Sequence, residues 1–244
     1  MNLLETLQNF SRLGKIVDVQ PGPSRVAVLA ETPDGLQCGL AAALTGPGQA
    51  SVLPDAAWLA SLSSQELVDL TRSADFGETA VGLAALNALL PLQGLPLVEL
   101  NAEDYLVRIG AGKKVAVVGH FPFIERLRGK IENVWCLELE PRPGDLPADA
   151  APEIIPLAEV IAITATTLIN QTFDGLIKMA SPGAQVMLLG PSAPLSPLLF
   201  QFGVQIICGT VAVDPWAALD GIRQGIPLRQ LHRAGIVRHV TLFE

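Results

Sequence analysis

From Lys113 onward, short apolar runs alternate with helical stretches, and this rhythm limits the fold more than any other feature of the chain. The runs are Val115–Val118, Val134–Leu139, Val160–Thr164, Gln185–Leu189 and Val204–Cys208. Strands made almost wholly of Val, Ile and Leu have no polar face to show to water. They fit a parallel sheet covered by helices on both sides. Right-handed crossovers then give an α/β, Rossmann-like, doubly wound and mainly parallel sheet.

The segment before it has a different pattern. Lys15–Val19, Arg25–Glu31 and Leu36–Ala43 read as three short strands, separated by Pro21-Gly22-Pro23 and by a Pro33-Asp34-Gly35 turn. Such a meander needs helices against it. Leu3, Leu4, Leu7 and Phe10 recur at helical spacing, with Glu5 early and Arg12 and Lys15 late. Ser63 or Ser64 can cap a helix over Gln65–Arg72, and Gly77–Leu90 is a further helix ended by Pro91. Residues 91–112 form the connector.

Composition excludes several classes of function. The formal net charge is −8 and Lys113-Lys114 is the longest basic cluster, which argues against nucleic acid and anionic membranes as partners. No apolar run approaches the roughly 18 residues of a membrane span. The best, Val115–Ile124, is broken by Gly119 and His120. The N-terminus is not a signal peptide, so a cytoplasmic location is expected. Cys38, Cys136 and Cys208 lie far apart and form no CxxC pair. Cys136 and Cys208 sit in strand-like runs and read as buried structural thiols.

In a doubly wound sheet the ligand crevice lies beyond the carboxyl ends of the strands. The residues there are Gly119-His120-Phe121-Pro122-Phe123, then Glu138-Leu139-Glu140-Pro141 running into Arg142–Asp145, then Thr164-Ala165-Thr166-Thr167 with Asn170 one turn on. Gly190-Pro191-Ser192 and Gly209-Thr210 follow the last two strands. Free N–H groups and hydroxyls at such places can hold an anion, or simply cap helices as Asp214-Pro215 does. The first turn lacks the glycines of GxGxxG, so a pyrophosphate could not approach in the usual way. Glu138 lies 19 residues beyond Gly119, where an acidic side chain meets a ribose in dinucleotide binders. A nucleoside-type ligand such as S-adenosylmethionine or a mononucleotide therefore stays open, beside the plainer reading of a solvated carboxylate. His120 follows a buried strand directly and suits a metal ligand, an acid/base, or a histidine bonded to a neighbouring loop. His232 and His239 are seven apart, and no His/Cys cluster has metal-ligand spacing.

The strings VVGHFPFIERLRGK, LELEPRPGDLP, TATTLINQTFDGLI, LLGPSAPLSPLLF and CGTVAVDP, with ETAVGLAALNALL upstream, together resemble a prokaryotic family of unknown function whose proposed role is heavy-metal chelation. The resemblance implies two domains: residues 1–100, similar to the N-terminal domain of enolases, and a Rossmann-like domain over 101–244. It places a site in the cleft between them. Carried onto this chain, that site comprises Gly119, His120, Phe121, Pro122, Glu138, Thr164, Asn170, Gly190, Pro191 and Ser192, with Thr166 added from the strand-end set. Glu78 and Asn87 would join from the other domain, although Glu78 also suits a helix first turn. With no barrel and no carboxylate triad, enolase chemistry is not implied.

Three functions compete. The favoured one is binding of a transition-metal ion, or of a metal-loaded small molecule, with His120 and Glu138 as ligands. The second is an enzyme acting on an anionic or nucleoside-type molecule. There His120 would be the acid/base, Asn170 and the Gly190–Ser192 turn would orient substrate, and Glu138 would hold a ribose. The third is a scaffold in which the run 193–202, with Leu198, Leu199 and Phe200, packs a homodimer interface.

Overall fold

A computed structural model describes residues 3–11, 14–44 and 53–244. In chain order the helices and strands are α1 (Leu3–Phe10), β1 (Lys15–Pro21), β2 (Arg25–Thr32), β3 (Gly35–Ala42), α2 (Ala56–Ser61), α3 (Ser64–Asp69), α4 (Phe76–Leu89), α5 (Ala102–Gly110), β4 (Lys114–Val118), α6 (Ile124–Arg128), β5 (Asn133–Glu138), β6 (Leu146–Pro147), α7 (Ala151–Ile154), β7 (Val160–Thr164), α8 (Phe173–Met179), β8 (Gln185–Leu189), β9 (Ile206–Ala212), α9 (Pro215–Arg223), α10 (Leu228–Arg233) and β10 (Val237–Phe243). Of the residues assigned to the first helix, Arg12 lies outside the described residues. The chain is thus a mixed α/β protein with one small antiparallel sheet and one large, mostly parallel sheet. No helix among the described residues is long and apolar enough to cross a membrane.

The small sheet runs β1-β2-β3. Side chains on β2 alternate between two cores, as a period of two requires. Val26, Val28 and Ala30 meet the small residues of α4, while Ala27 and Leu29 meet Ala218, Leu219 and Ile222 of α9. Both faces are therefore covered, one of them by a helix that lies in the chain between β9 and β10. Ser63 caps α3 in a reciprocal capping box with Glu66. Packing of α4 on β3 is close enough to demand glycine at position 39. A Cβ there would stand 2.1 Å from the Ala84 carbonyl oxygen and 2.3 Å from the Ala88 nitrogen, both backbone atoms that cannot swing away. Gly39→Ala is expected to destabilise the protein by about 3 kcal/mol through overpacking, read as a lower urea midpoint at unchanged slope.

The large sheet has the order β10-β9-β8-β7-β4-β5-β6. Strands β4 to β9 are parallel, and β10 pairs antiparallel with β9. Because β5 lies on one side of β4 and β7 on the other, the strand order reverses between β4 and β7 and opens a crevice at their carboxyl ends.

Two expectations change. Gly209-Thr210 is not a loop but the middle of β9, and Val204 precedes that strand. The reason is β10, whose Val240 and His239 pair with Gly209 and Thr210 and carry the ladder past the point where local apolarity ends. Within the run 193–202, Leu199 is buried in this chain's own core, with Leu198 and Phe200 packed against it, so these side chains are not an exposed patch. His232 and His239 share neither a helix nor a strand. They stand on α10 and β10 with their rings stacked at 4.6 Å. All three cysteines are free and buried.

Candidate functional site

The carboxyl ends of four parallel strands border one cavity of about 570 Å³, represented by Gly119 after β4, Glu138 on β5, Ala148 after β6 and Thr164 on β7. His120, Phe121, Thr166 and Asn170 also line it. The fold thus gathers seven of the sequence-selected residues around one space. Gly119 makes the turn possible, with φ at +101° and a Cβ that would stand 2.8 Å from Thr164 Cγ2. Gly119→Ala is expected to cost about 2 kcal/mol and to push His120 out of register, measured by thermal unfolding together with metal titration.

The turn is pinned by carboxylates. The backbone N–H of His120 donates to Glu138 Oε2 at 2.6 Å, and the Leu139 N–H donates to Glu138 Oε1 at 2.7 Å. The imidazole of His120, 11% exposed, bonds through Nδ1 to Asp145 Oδ2 at 2.7 Å. Asp145 is fully buried as a side chain, accepts from Arg128 Nη2 at 2.8 Å and from the Arg142 N–H at 3.1 Å, and sits beside the Cys136 thiol. Burial by itself raises the Asp145 carboxyl, but hydrogen bonds from His120, Arg128, the Arg142 backbone and Cys136 hold it down at about 2. Burial pushes the Cys136 thiol up to about 12, and the adjacent Asp145 carboxylate adds to the rise. Asp145 is therefore a fixed anion facing His120. It places the proton on Nδ1 and leaves the Nε2 lone pair as the free donor of the ring.

On the opposite flank of the turn, Thr164 and Thr166 hydroxyls bond to each other at 3.0 Å. Asn170 Oδ1 accepts from the Thr172 hydroxyl at 2.7 Å, which leaves its amide nitrogen for another acceptor.

Other selected residues lie elsewhere. Asn87 Nδ2 donates to the carbonyls of Leu40 and Ser192, and the Ser192 hydroxyl accepts from the Ala42 N–H at 2.8 Å. These two side chains tie the small sheet to the large one. Glu78 accepts from the Ser73 hydroxyl at the start of α4. Gly190 and Pro191 line a second cavity of about 510 Å³ together with Phe121, His232 and His239. Pro122 is exposed on the turn.

His120, Cys136 and Asp145 form a candidate metal cluster, with one ligand atom of each inside 4.8 Å of the others. Imidazole, thiolate and carboxylate together suit a borderline transition metal such as zinc. Geometry decides how such an ion fits. Metal bonds of about 2.0–2.3 Å set tetrahedral ligand atoms roughly 3.4 Å apart. An ion among the three would have to open the 2.7 Å His120–Asp145 bond and take the place of the proton on the buried Cys136 thiol. An ion at Nε2 disturbs none of these, and Asp145 then serves as the carboxylate that orients a ligating histidine.

Residues 101–241 match the model of the DUF364 family, and residues 5–90 that of DUF4213, both described as "Putative heavy-metal chelation". An uncharacterized protein of Methanocaldococcus jannaschii is 28% identical over 169 residues, a stretch that covers 64% of this chain and 62% of that protein's length. Two crystal structures of DUF364 proteins with unknown function have the same fold. The one from Desulfitobacterium hafniense aligns over 99% of this chain and 98% of its own at a TM-score of 0.83 and 22% identity. The one from Pyrococcus horikoshii aligns over the same shares at 0.80 and 18%.

Proposed function

Because the chain belongs to the DUF364 family, we propose that it binds a transition-metal ion carried by a small molecule, in the cavity at the ends of β4, β5, β6 and β7. The observation that carries this reading is His120, which borders a space of about 570 Å³ while Asp145 holds its Nδ1. That volume is the size of a small-molecule pocket, of order 300–1,000 Å³, and far exceeds a bare ion. One imidazole nitrogen cannot complete a coordination shell, so the small molecule supplies the remaining donors. Glu138 uses one lone pair of each oxygen on a backbone N–H and keeps others for the ligand. Thr166 and the Asn170 amide offer neutral hydrogen bonds on the other flank.

The three-atom cluster of His120, Cys136 and Asp145 is the second reading, favoured by the proximity of its donors. Titration of the tag-free, chelator-treated protein with zinc and cobalt separates the two. Cys136→Ser is expected to bind within about threefold of wild type, because the thiol stays outside the coordination sphere. A loss of tenfold or more in that variant, or a thiolate-to-cobalt absorption band in wild type, would assign the ion to the cluster instead.

A further inference from the structure

We infer that the small molecule of this cavity is a nucleoside without a phosphate chain, held through its ribose hydroxyls by Glu138; this rests on the reading of the cavity as the ligand site. In a sheet whose order reverses between β4 and β7, a ligand lying across the crevice meets the ends of the strands in a fixed sequence. The second strand of the series, β5, ends on Glu138, and an acidic side chain at that place accepts from the two hydroxyls of a ribose. Here the carboxylate is already positioned. Backbone N–H groups of His120 and Leu139 hold one lone pair of each oxygen and leave the others directed elsewhere.

Beyond Glu138 the lining offers apolar side chains on which a base can rest, beside the charged Glu140 and Arg142. Leu139, 56% exposed, borders the cavity, and Ala148 and Ala151 line it after β6. A flat heterocycle resting there would cover the leucine. The 5′ end of the nucleoside then extends along the ends of β4 and β7 toward His120, Thr164 and Asn170, where its substituent presents donors to a metal on Nε2.

Phosphates are excluded by the same turn. Of the three glycine places of a pyrophosphate-binding turn this chain keeps only the first, Gly119; Phe121 and Ile124 stand at the others, and Pro122 between them has no N–H to give. Helix α6 is only five residues long, and the cavity border carries two carboxylates, Glu138 and Glu140, against one guanidinium, Arg142. A neutral or cationic nucleoside is favoured over a polyanion.

The test is calorimetric titration of the metal-free full chain with adenosine, guanosine, cytidine, uridine and S-adenosylmethionine, with 2′,3′-dideoxyadenosine, ATP and NAD as comparisons. At least one nucleoside is expected to bind, and the dideoxy form of a bound adenosine type to bind tenfold or more weakly. ATP and NAD are expected to bind no more tightly than the unphosphorylated nucleosides. Glu138→Gln should erase the difference between diol and dideoxy forms; if that variant does not fold, the wild-type comparison alone decides. Absence of binding by every nucleoside at millimolar concentration, equal binding of the dideoxy form, or tighter binding of ATP or NAD would each overturn the inference. Zinc titration of the same protein reads the metal site separately, so nucleoside failure and metal failure are told apart.

Discussion

His120→Ala is expected to lose metal binding by about 100-fold or more while retaining its fold. A histidine's orienting partner alone is commonly worth 10–100-fold in affinity, and removal of the ligand itself should exceed that. Its imidazole, 11% exposed, gives up one hydrogen bond to the buried Asp145 carboxylate, so the stability loss should be about 1.5–3 kcal/mol. Metal content of the purified protein and competition against a chelating dye give the first quantity, and urea unfolding gives the second. Metal bound equally well by the variant would remove His120 from the site.

Asp145→Asn should act on both affinity and stability, because one buried carboxylate serves four neighbours. An Asn amide nitrogen facing His120 would donate to Nδ1 and shift the ring proton onto Nε2, blocking the lone pair that binds the metal. Affinity is expected to fall by 10–100-fold. The stability effect is pH-dependent in the metal-free protein. In the folded state the Asp145 carboxyl lies at about 2, below its ordinary value of 3.8, so the native state holds its proton less readily than the unfolded chain. The contribution is fully present above 3.8 and is lost as pH falls through about 2. By linkage it amounts to about 2–3 kcal/mol at neutral pH. Urea midpoints of wild type and variant should therefore differ at pH 7 and converge as pH approaches 2. A constant difference across that range would mean that the carboxylate is not held as its contacts indicate.

The parallel strands were legible because burial on both faces leaves a local signature, a near-continuous run of Val, Ile and Leu. Strand β10 left none. Its burial alternates irregularly, with Arg238 and His239 exposed, and its partner β9 passes through Gly209 and Thr210, residues that look like a loop when read alone. The topology therefore had to be seen before the edge strand could be. The site divides in the same way. Gly119, His120, Glu138, Thr164 and Asn170 follow from the rule that ligands lie at strand ends, and the fold brings them to one cavity. Asp145 was noticed only as the end of an Arg-Pro-Gly-Asp turn. Its bond to His120 spans 25 residues and depends on the path of the chain after β5, which spacing does not encode. Cys136 read as a structural thiol; its buried, free state is consistent with that, while its place beside Asp145 makes it the residue that separates the two metal geometries. Asn87 and Ser192 carry a role that spacing does not show: they hydrogen-bond backbone atoms that join the two sheets, while the buried Asn87 Oδ1 keeps no partner.

The most direct measurement is an anomalous-scattering map from crystals of the chelator-treated protein soaked in a cobalt salt. A peak about 2.1 Å from His120 Nε2, inside the cavity and with Asp145 still bonded to Nδ1, is the predicted result. A peak bonded to Cys136 Sγ and Asp145, with Arg128 swung away, or the absence of any peak near His120, would contradict it.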